Sequence, residues 1–255
     1  MSSEVFPPIR TLRTRVSGVE MHALVMGKVP DHGVPTYVLV HGLGMSGRYM
    51  MPTASLLAPH GRVMLPDLPG FGESGKPARF LTIPELADAL AGWMMAHELP
   101  ASVLIGNSLG AQVIADLAVR HPHFVERAVL VAPTVDPQAR RVFTQAMRLL
   151  ADIPREPMGL YGMGLSDYFQ AGFGRVLQTL RHALVDPIVD KLPSVRCPVL
   201  VVRGGRDPIV PQEWVEQVAR LIPGGRLIMF PEAAHAVNFN TPERLVAEIL
   251  KFQTD

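Results

Sequence analysis

Three residue types that can act together as nucleophile, base and orienting acid stand far apart in this chain of 255 residues. Ser108 lies in Gly106-Asn107-Ser108-Leu109-Gly110, which fits Gly-x-Ser-x-Gly. The apolar run Val103-Leu104-Ile105 precedes it, and the helical pattern Ala111-Gln112-Val113-Ile114-Ala115 follows. Strand, sharp turn, helix is the context in which this pattern carries a mechanism. The turn lifts the hydroxyl clear of the sheet, and glycines at 106 and 110 let strand and helix approach without Cβ clashes. The Leu109 N–H then stands at a helix N-terminus, where it can stabilise negative charge. The competing reading is a Gly-rich turn in which Ser108 merely caps the helix.

A serine nucleophile needs a base to take its proton and an acid to orient that base. In open α/β sheets the working groups lie beyond the carboxyl ends of strands. Asp207 follows the run Val199-Leu200-Val201-Val202, and His235 follows Leu227-Ile228-Met229-Phe230. Ser, Asp, His is therefore the chain order, each just past an apolar run. In this constellation Ser108 Oγ attacks a carbonyl, His235 accepts the proton and returns it to the leaving group, and Asp207 holds the imidazole. The chemistry requires no metal and no organic cofactor.

The elements that must position these residues alternate along the chain. Residues 11–17 and 21–26 read as a hairpin about Gly18. Continuous apolar runs at 36–40, 63–65, 103–106, 128–131, 199–202 and 227–230 read as strands buried on both faces. Helical patterns separate them. One opens at Thr82, where Glu85 completes a capping box and Pro84 fits the first turn. Buried strands alternating with helices imply an α/β fold: a mostly parallel sheet of about eight strands with helices on both faces. Residues 134–193 break the rhythm with helical patterns at 137–150 and 166–185 and a Gly/Met-rich joint at 158–164. The expected organisation is a core of 1–133 and 194–255 with a helical lid at 134–193.

On these motifs the chain resembles the α/β-hydrolase superfamily over essentially its whole length. His41-Gly42-Leu43-Gly44 is similar to the family's oxyanion loop, and Asp67-Leu68-Pro69-Gly70-Phe71-Gly72 to the turn after its fourth strand. The resemblance implies that the Leu43 N–H joins that of Leu109 in the oxyanion hole. It also leaves Asp136, beyond the preceding strand, as a rival acid. His41 and Asp67 read as structural, each ordering its own turn. Family members with Asp at the elbow, the haloalkane dehalogenases and epoxide hydrolases, are excluded by Ser108. Gly-Asn-Ser resembles the elbow of carbon–carbon bond hydrolases, but those carry Trp after the histidine where this chain has Ala236. The implied activity is carboxylic ester hydrolysis through an acyl-enzyme. Carbon–carbon hydrolysis, acyl transfer or perhydrolysis, and a slow-turnover ligand receptor stand as alternatives.

The lid supplies Phe143, Met147, Met163, Phe169 and Phe173, read as an adaptable apolar ceiling over the substrate. Small to medium apolar esters are the expected ligands, and the glycines at 159–164 the expected hinge. Arg175 and Arg181 read as the polar face of a lid helix. With 24 Lys+Arg against 23 Asp+Glu the net charge is +1, which argues against a nucleic-acid or anionic-membrane surface. Hydrophobic residues make up 48%, enough for a sizeable core. Cys197 is the only cysteine, so no internal disulfide forms, and a reducing, cytoplasmic setting is expected. Residues 1–18 show no apolar leader pattern. His121 and His123 read as a helix end rather than a metal pair, and the histidines at 22, 32, 60, 97 and 182 as surface or lid residues.

Overall fold

The computed structural model describes residues 9–28 and 33–254; the reading of the first eight residues and of His32 lies outside them. Eight strands form one sheet: β1 (Arg10–Val16), β2 (Val19–Gly27), β3 (Thr36–Val40), β4 (Arg62–Pro66), β5 (Ser102–Asn107), β6 (Val125–Val131), β7 (Val199–Gly204) and β8 (Arg226–Phe230). Their order across the sheet is β1-β2-β4-β3-β5-β6-β7-β8. β1 and β2 pair antiparallel, as do β2 and β4, and every other pairing is parallel.

The burial of these strands follows from their composition. All residues of β3, β5 and β7 are buried, as apolar runs covered on both faces must be. Each aliphatic side chain so buried contributes about 1.5–3 kcal/mol. Register then aligns the strand ends. Val40 pairs with Gly106, Asn107 with Val131, Val131 with Val202, and Gly204 with Phe230. The carboxyl ends of β3, β5, β6, β7 and β8 therefore open onto one edge of the sheet.

Helices α1 (Met51–Leu57), α2 (Ile83–Ala96) and α3 (Leu109–Arg120) follow β3, β4 and β5. The Thr82 N–H donates to Glu85 Oε2 at 2.8 Å, the expected capping-box contact at the start of α2. α2 packs on α3, while α1 packs on α9 (Val237–Asn240) and α10 (Pro242–Thr254); α8 (Gln212–Leu221) packs on β7 and β8.

A helical insertion, called the cap for its place in the chain, lies between β6 and β7. It holds α4 (Val142–Asp152), α5 (Met158–Ala171), α6 (Phe173–Val185) and α7 (Ile188–Lys191), with no strand among its described residues. The stretch expected to be a joint is instead the first half of α5, a helix of 14 residues. Pro157 precedes this helix, and its glycines lie inside it. The chain breaks at Gly172, whose φ of 88° only glycine adopts readily. The hinge assigned to 159–164 is thus replaced by a turn at Gly172.

Candidate active site

Ser108 connects β5 to α3 with φ 55° and ψ −116°, a conformation costly for any residue with a side chain. The turn is enforced from both sides. A Cβ on Gly106 would lie 2.5 Å from the Gly110 carbonyl carbon, and one on Gly110 would lie 2.2 Å from the Val40 carbonyl oxygen. The Ser108 N–H donates to the Val131 carbonyl at 2.9 Å, and the Ser108 carbonyl accepts from Ala111 and Gln112. Its hydroxyl makes no capping bond to α3. The reading of Ser108 as a simple helix cap therefore fails.

The loop His41-Gly42-Leu43-Gly44 lies directly alongside. A Cβ on Gly42 would stand 3.5 Å from Ser108 Cβ and 3.2 Å from Asn107 Oδ1. Two buried residues anchor this loop. The His41 Nε2 accepts from the Leu68 N–H at 2.9 Å, and its Nδ1 contacts the Gly42 carbonyl at 2.9 Å. Burial lowers the pKa of His41 despite the nearby Asp67 charge, so its ring is neutral. Asp67 accepts from the N–H groups of Gly47 at 2.6 Å and Glu73 at 2.8 Å. Burial would raise its pKa, but His22, His41 and these amides reverse that and lower it. Both residues hold structure, as their sequence positions suggest. His22, expected at the surface, is buried and bonds Asp67 through Nδ1 at 2.8 Å.

Asp207 follows β7 in a turn it orders itself, accepting from Ile209 and Val210 N–H through Oδ1. Its second oxygen contacts His235 Nδ1 at 2.8 Å, with both side chains buried. Glycines bring the two loops together: a Cβ on Gly204 would fall 2.0 Å from the Ala234 carbonyl oxygen. Burial pulls the His235 pKa down, but Asp207, then Asp152 and Glu156, overcome it and hold the ring at about 9. Asp136, the rival acid, accepts from Gln138 N–H and pairs with Arg148 at 3.1 Å. The geometry brings His235 to Asp207 and occupies Asp136 elsewhere.

Asn107 is a site residue that pattern reading passed over. Its Nδ2 donates to the His235 carbonyl at 3.2 Å, and its Oδ1 accepts from the Tyr49 hydroxyl at 3.1 Å. One amide thus joins the elbow, the histidine loop and the turn after β3. The only signal in sequence was its place between Gly106 and Ser108.

The cap docks through polar and aromatic contacts. Asp167, fully buried, accepts from Ser46 at 2.7 Å and from Arg48 at 2.5 Å. Tyr168 packs on the loop after β3, where a Cβ on Gly44 would meet its ring at 2.5 Å. Glu156 and Asp152 reach the histidine loop. Of the five lid side chains read as a ceiling, Met163 packs against the core. Phe143, Met147, Phe169 and Phe173 are instead 75, 50, 64 and 60% exposed. The stripe fails to form a buried ceiling because the inward faces of α4 and α5 are taken by Gln145, Asp152, Asp167 and Ala171. Arg175 donates to the Pro77 carbonyl and Arg181 to Gln178. His121 bonds Asp88 at 2.7 Å, and no metal-holding group of His, Cys, Asp and Glu occurs among the described residues. Burial raises the Cys197 thiol to about 11, so it stays protonated and inert.

Residues 37–248 match the profile of the Alpha/beta hydrolase family. The chain belongs to this family. It is 27% identical over 259 residues to a pimeloyl-[acyl-carrier protein] methyl ester esterase of Vibrio vulnificus (strain YJ016), covering 91% of this chain and 98% of that one. A thermophilic esterase from Thermogutta terrifontis superposes with a TM-score of 0.79 at 25% identity, covering 96% of this chain and 98% of the other. The enol-lactonase from Burkholderia xenovorans LB400 shares the fold, with a TM-score of 0.81 at 22% identity over 96% of this chain and 100% of that one. The family model and the curated relatives place this chain among the hydrolases. No described helix is long and apolar enough to cross a membrane.

Proposed function

We propose that this hydrolase cleaves carboxylic esters of small to medium apolar acyl groups through Ser108, His235 and Asp207. The observation that carries the reading is the 2.8 Å contact between His235 Nδ1 and Asp207 Oδ2, with the His235 carbonyl held by Asn107, the neighbour of a serine forced out of ordinary backbone geometry. Asp207 leaves the ring's Nε2 to act as base. Ser108 Oγ adds to the ester carbonyl as His235 takes its proton. The oxyanion is met by the N–H groups of Leu43 and Leu109, neither of which donates to a backbone carbonyl among the described residues. Collapse expels the alcohol, which receives the proton from His235, and leaves an acyl-serine. Water, deprotonated by His235, then releases the acid and restores the hydroxyl.

Two observations favour esters over ring-cleavage ketones. Ala236 follows the histidine, and Arg181 lies exposed against Gln178 of its own helix while Arg175 donates to the Pro77 carbonyl. The test is turnover of p-nitrophenyl esters of graded chain length beside a ring-cleavage dienoate. Multiple turnovers on the esters with an optimum in chain length are expected. One burst equivalent without further turnover, or preference for the dienoate, overturns the proposal.

A further inference from the structure

The catalytic histidine is gripped from the cap. The chain passes from the end of α4 through Ile153–Arg155 to Glu156, which precedes α5. Glu156 Oε1 accepts from the Ala236 N–H at 2.7 Å, and its Oε2 accepts from Asn240 Nδ2 at 2.7 Å. Ala236 is the residue directly after His235. The Tyr161 hydroxyl donates to the Glu156 carbonyl at 3.0 Å and fixes the turn that carries it. His235 is therefore held from three segments: its ring by Asp207, its carbonyl by Asn107, and its following amide by Glu156, with its own N–H turned to Asp152 on the same side as Glu156. Two of these come from the sheet core and the third from the cap.

Charges face this junction from every side. Asp152, 5% exposed at the end of α4, has a buried Oδ1 with no hydrogen-bond partner among the described residues. Burial raises its pKa, while the His235 ring and backbone N–H lower it. Burial, then Asp152, raise Glu156 to about 7 against the opposing Ala236 amide and His235. Asp207 lies behind the ring, and buried Tyr49 feels all three carboxylates and stays un-ionised.

We propose that Glu156 is a positioning residue, which places His235 by holding the Ala236 amide and the Asn240 side chain and so makes seating of the cap a condition for an aligned base. This inference rests on the serine-hydrolase reading above. It assigns the cap a role in the proton transfer itself, beyond any part in choosing the substrate. The carboxylate also adds negative charge beside the imidazole, so its loss changes alignment and titration separately.

The test compares the full-length wild type with Glu156→Ala and Glu156→Gln. Each is assayed by p-nitrophenyl butyrate turnover and by the rate of fluorophosphonate labelling of Ser108, both across pH. Glu156→Ala loses both acceptors, and kcat should fall on the order of 10²-fold with KM changed little, the cost of a small misplacement. Glu156→Gln keeps an acceptor for the Ala236 N–H but loses the charge. It should retain kcat at its own optimum within a fewfold, while the pH midpoint for labelling moves down by about one unit. A folded Glu156→Ala with wild-type kcat and an unmoved midpoint overturns the proposal. If Glu156→Ala does not fold, an unmoved midpoint in Glu156→Gln does so. Loss of thermal stability alone, with kinetics and midpoint intact, marks a merely structural contact and also overturns it. Failure of the wild type to label at Ser108 removes the serine-hydrolase reading instead, and this inference falls with it.

Discussion

Two amphipathic helices of this protein bury opposite faces. α8, on the core, hides Trp214, Val215 and Val218 and presents Glu213 and Arg220 outward. α4, in the cap, turns Gln145, Arg148 and Asp152 inward, where they meet the Ala139 carbonyl, Asp136 and the histidine loop. Its Phe143, Met147 and Leu150 face solvent. Both patterns have the helical period, and the period gives the stripe without saying what lies against it. In the core, burial of apolar surface decides the orientation. In the cap, hydrogen bonds and ion pairs at the junction decide it, and the apolar face is left outside.

Substitutions in the two regions can break or sharpen that contrast. The largest effect belongs to the elbow: on the proposed mechanism Ser108→Ala should lower kcat about 10⁶-fold, as expected of a triad that acts as a unit. A fluorophosphonate should label the wild type at this residue alone, as intact-mass and peptide mapping would report. Next, Asp207→Asn should cost about 10⁴-fold in kcat by releasing the imidazole from its orienting partner. Asp136→Asn, at the cap boundary, should be mild; the reverse ranking would move the acid across that boundary.

Leu104 is fully buried in β5, and Leu104→Ala should cost about 2–5 kcal/mol in a denaturant melt. The pH profile sharpens the electrostatic side. His235 must be neutral to act as base, and its neighbours hold it at about 9. kcat/KM should therefore rise with pH through a midpoint near that value, and activity two units below it should be about a hundredfold under the plateau. The smallest effect is expected on the outer face of α4, where Met147 is 50% exposed. Met147→Ser should change stability by no more than about 0.5 kcal/mol. A loss as large as that at Leu104 would show that α4 buries its apolar face after all.

The same contrast explains what could be read from the sequence. The strands were legible because short apolar runs bounded by turn residues favour strand over helix; 227–230, expected to be buried on both faces, forms β8 at the sheet edge, where it is only partly buried. The places of Ser108, Asp207 and His235 beyond strand ends were legible because each stands just past such a run, and the His235–Asp207 contact follows from those places. His22 was misread because its neighbours Met21 and Ala23 look like an ordinary edge, and only pairing of Ala23 with Pro66 brings Asp67 beside it. The cap was read least well. Glycines at 159, 162 and 164 suggested a joint, but α5 runs through them and breaks at Gly172. Glu156 was invisible because its partners, Ala236 and Asn240, lie 80 and 84 residues away. Local pattern reports propensity and burial; contacts of that span arise only when the cap is seated.

The elbow has a consequence for anyone who tries to improve this protein. Ser108 holds φ 55° and ψ −116°, a conformation that costs a serine about 1–3 kcal/mol and a glycine far less. Ser108→Gly would relieve that strain and remove the proposed nucleophile in one step. A library screened only for survival of heating therefore enriches a variant that folds better and lacks the hydroxyl on which the proposed chemistry depends. Thermal selection on this scaffold has to carry an activity readout at every round.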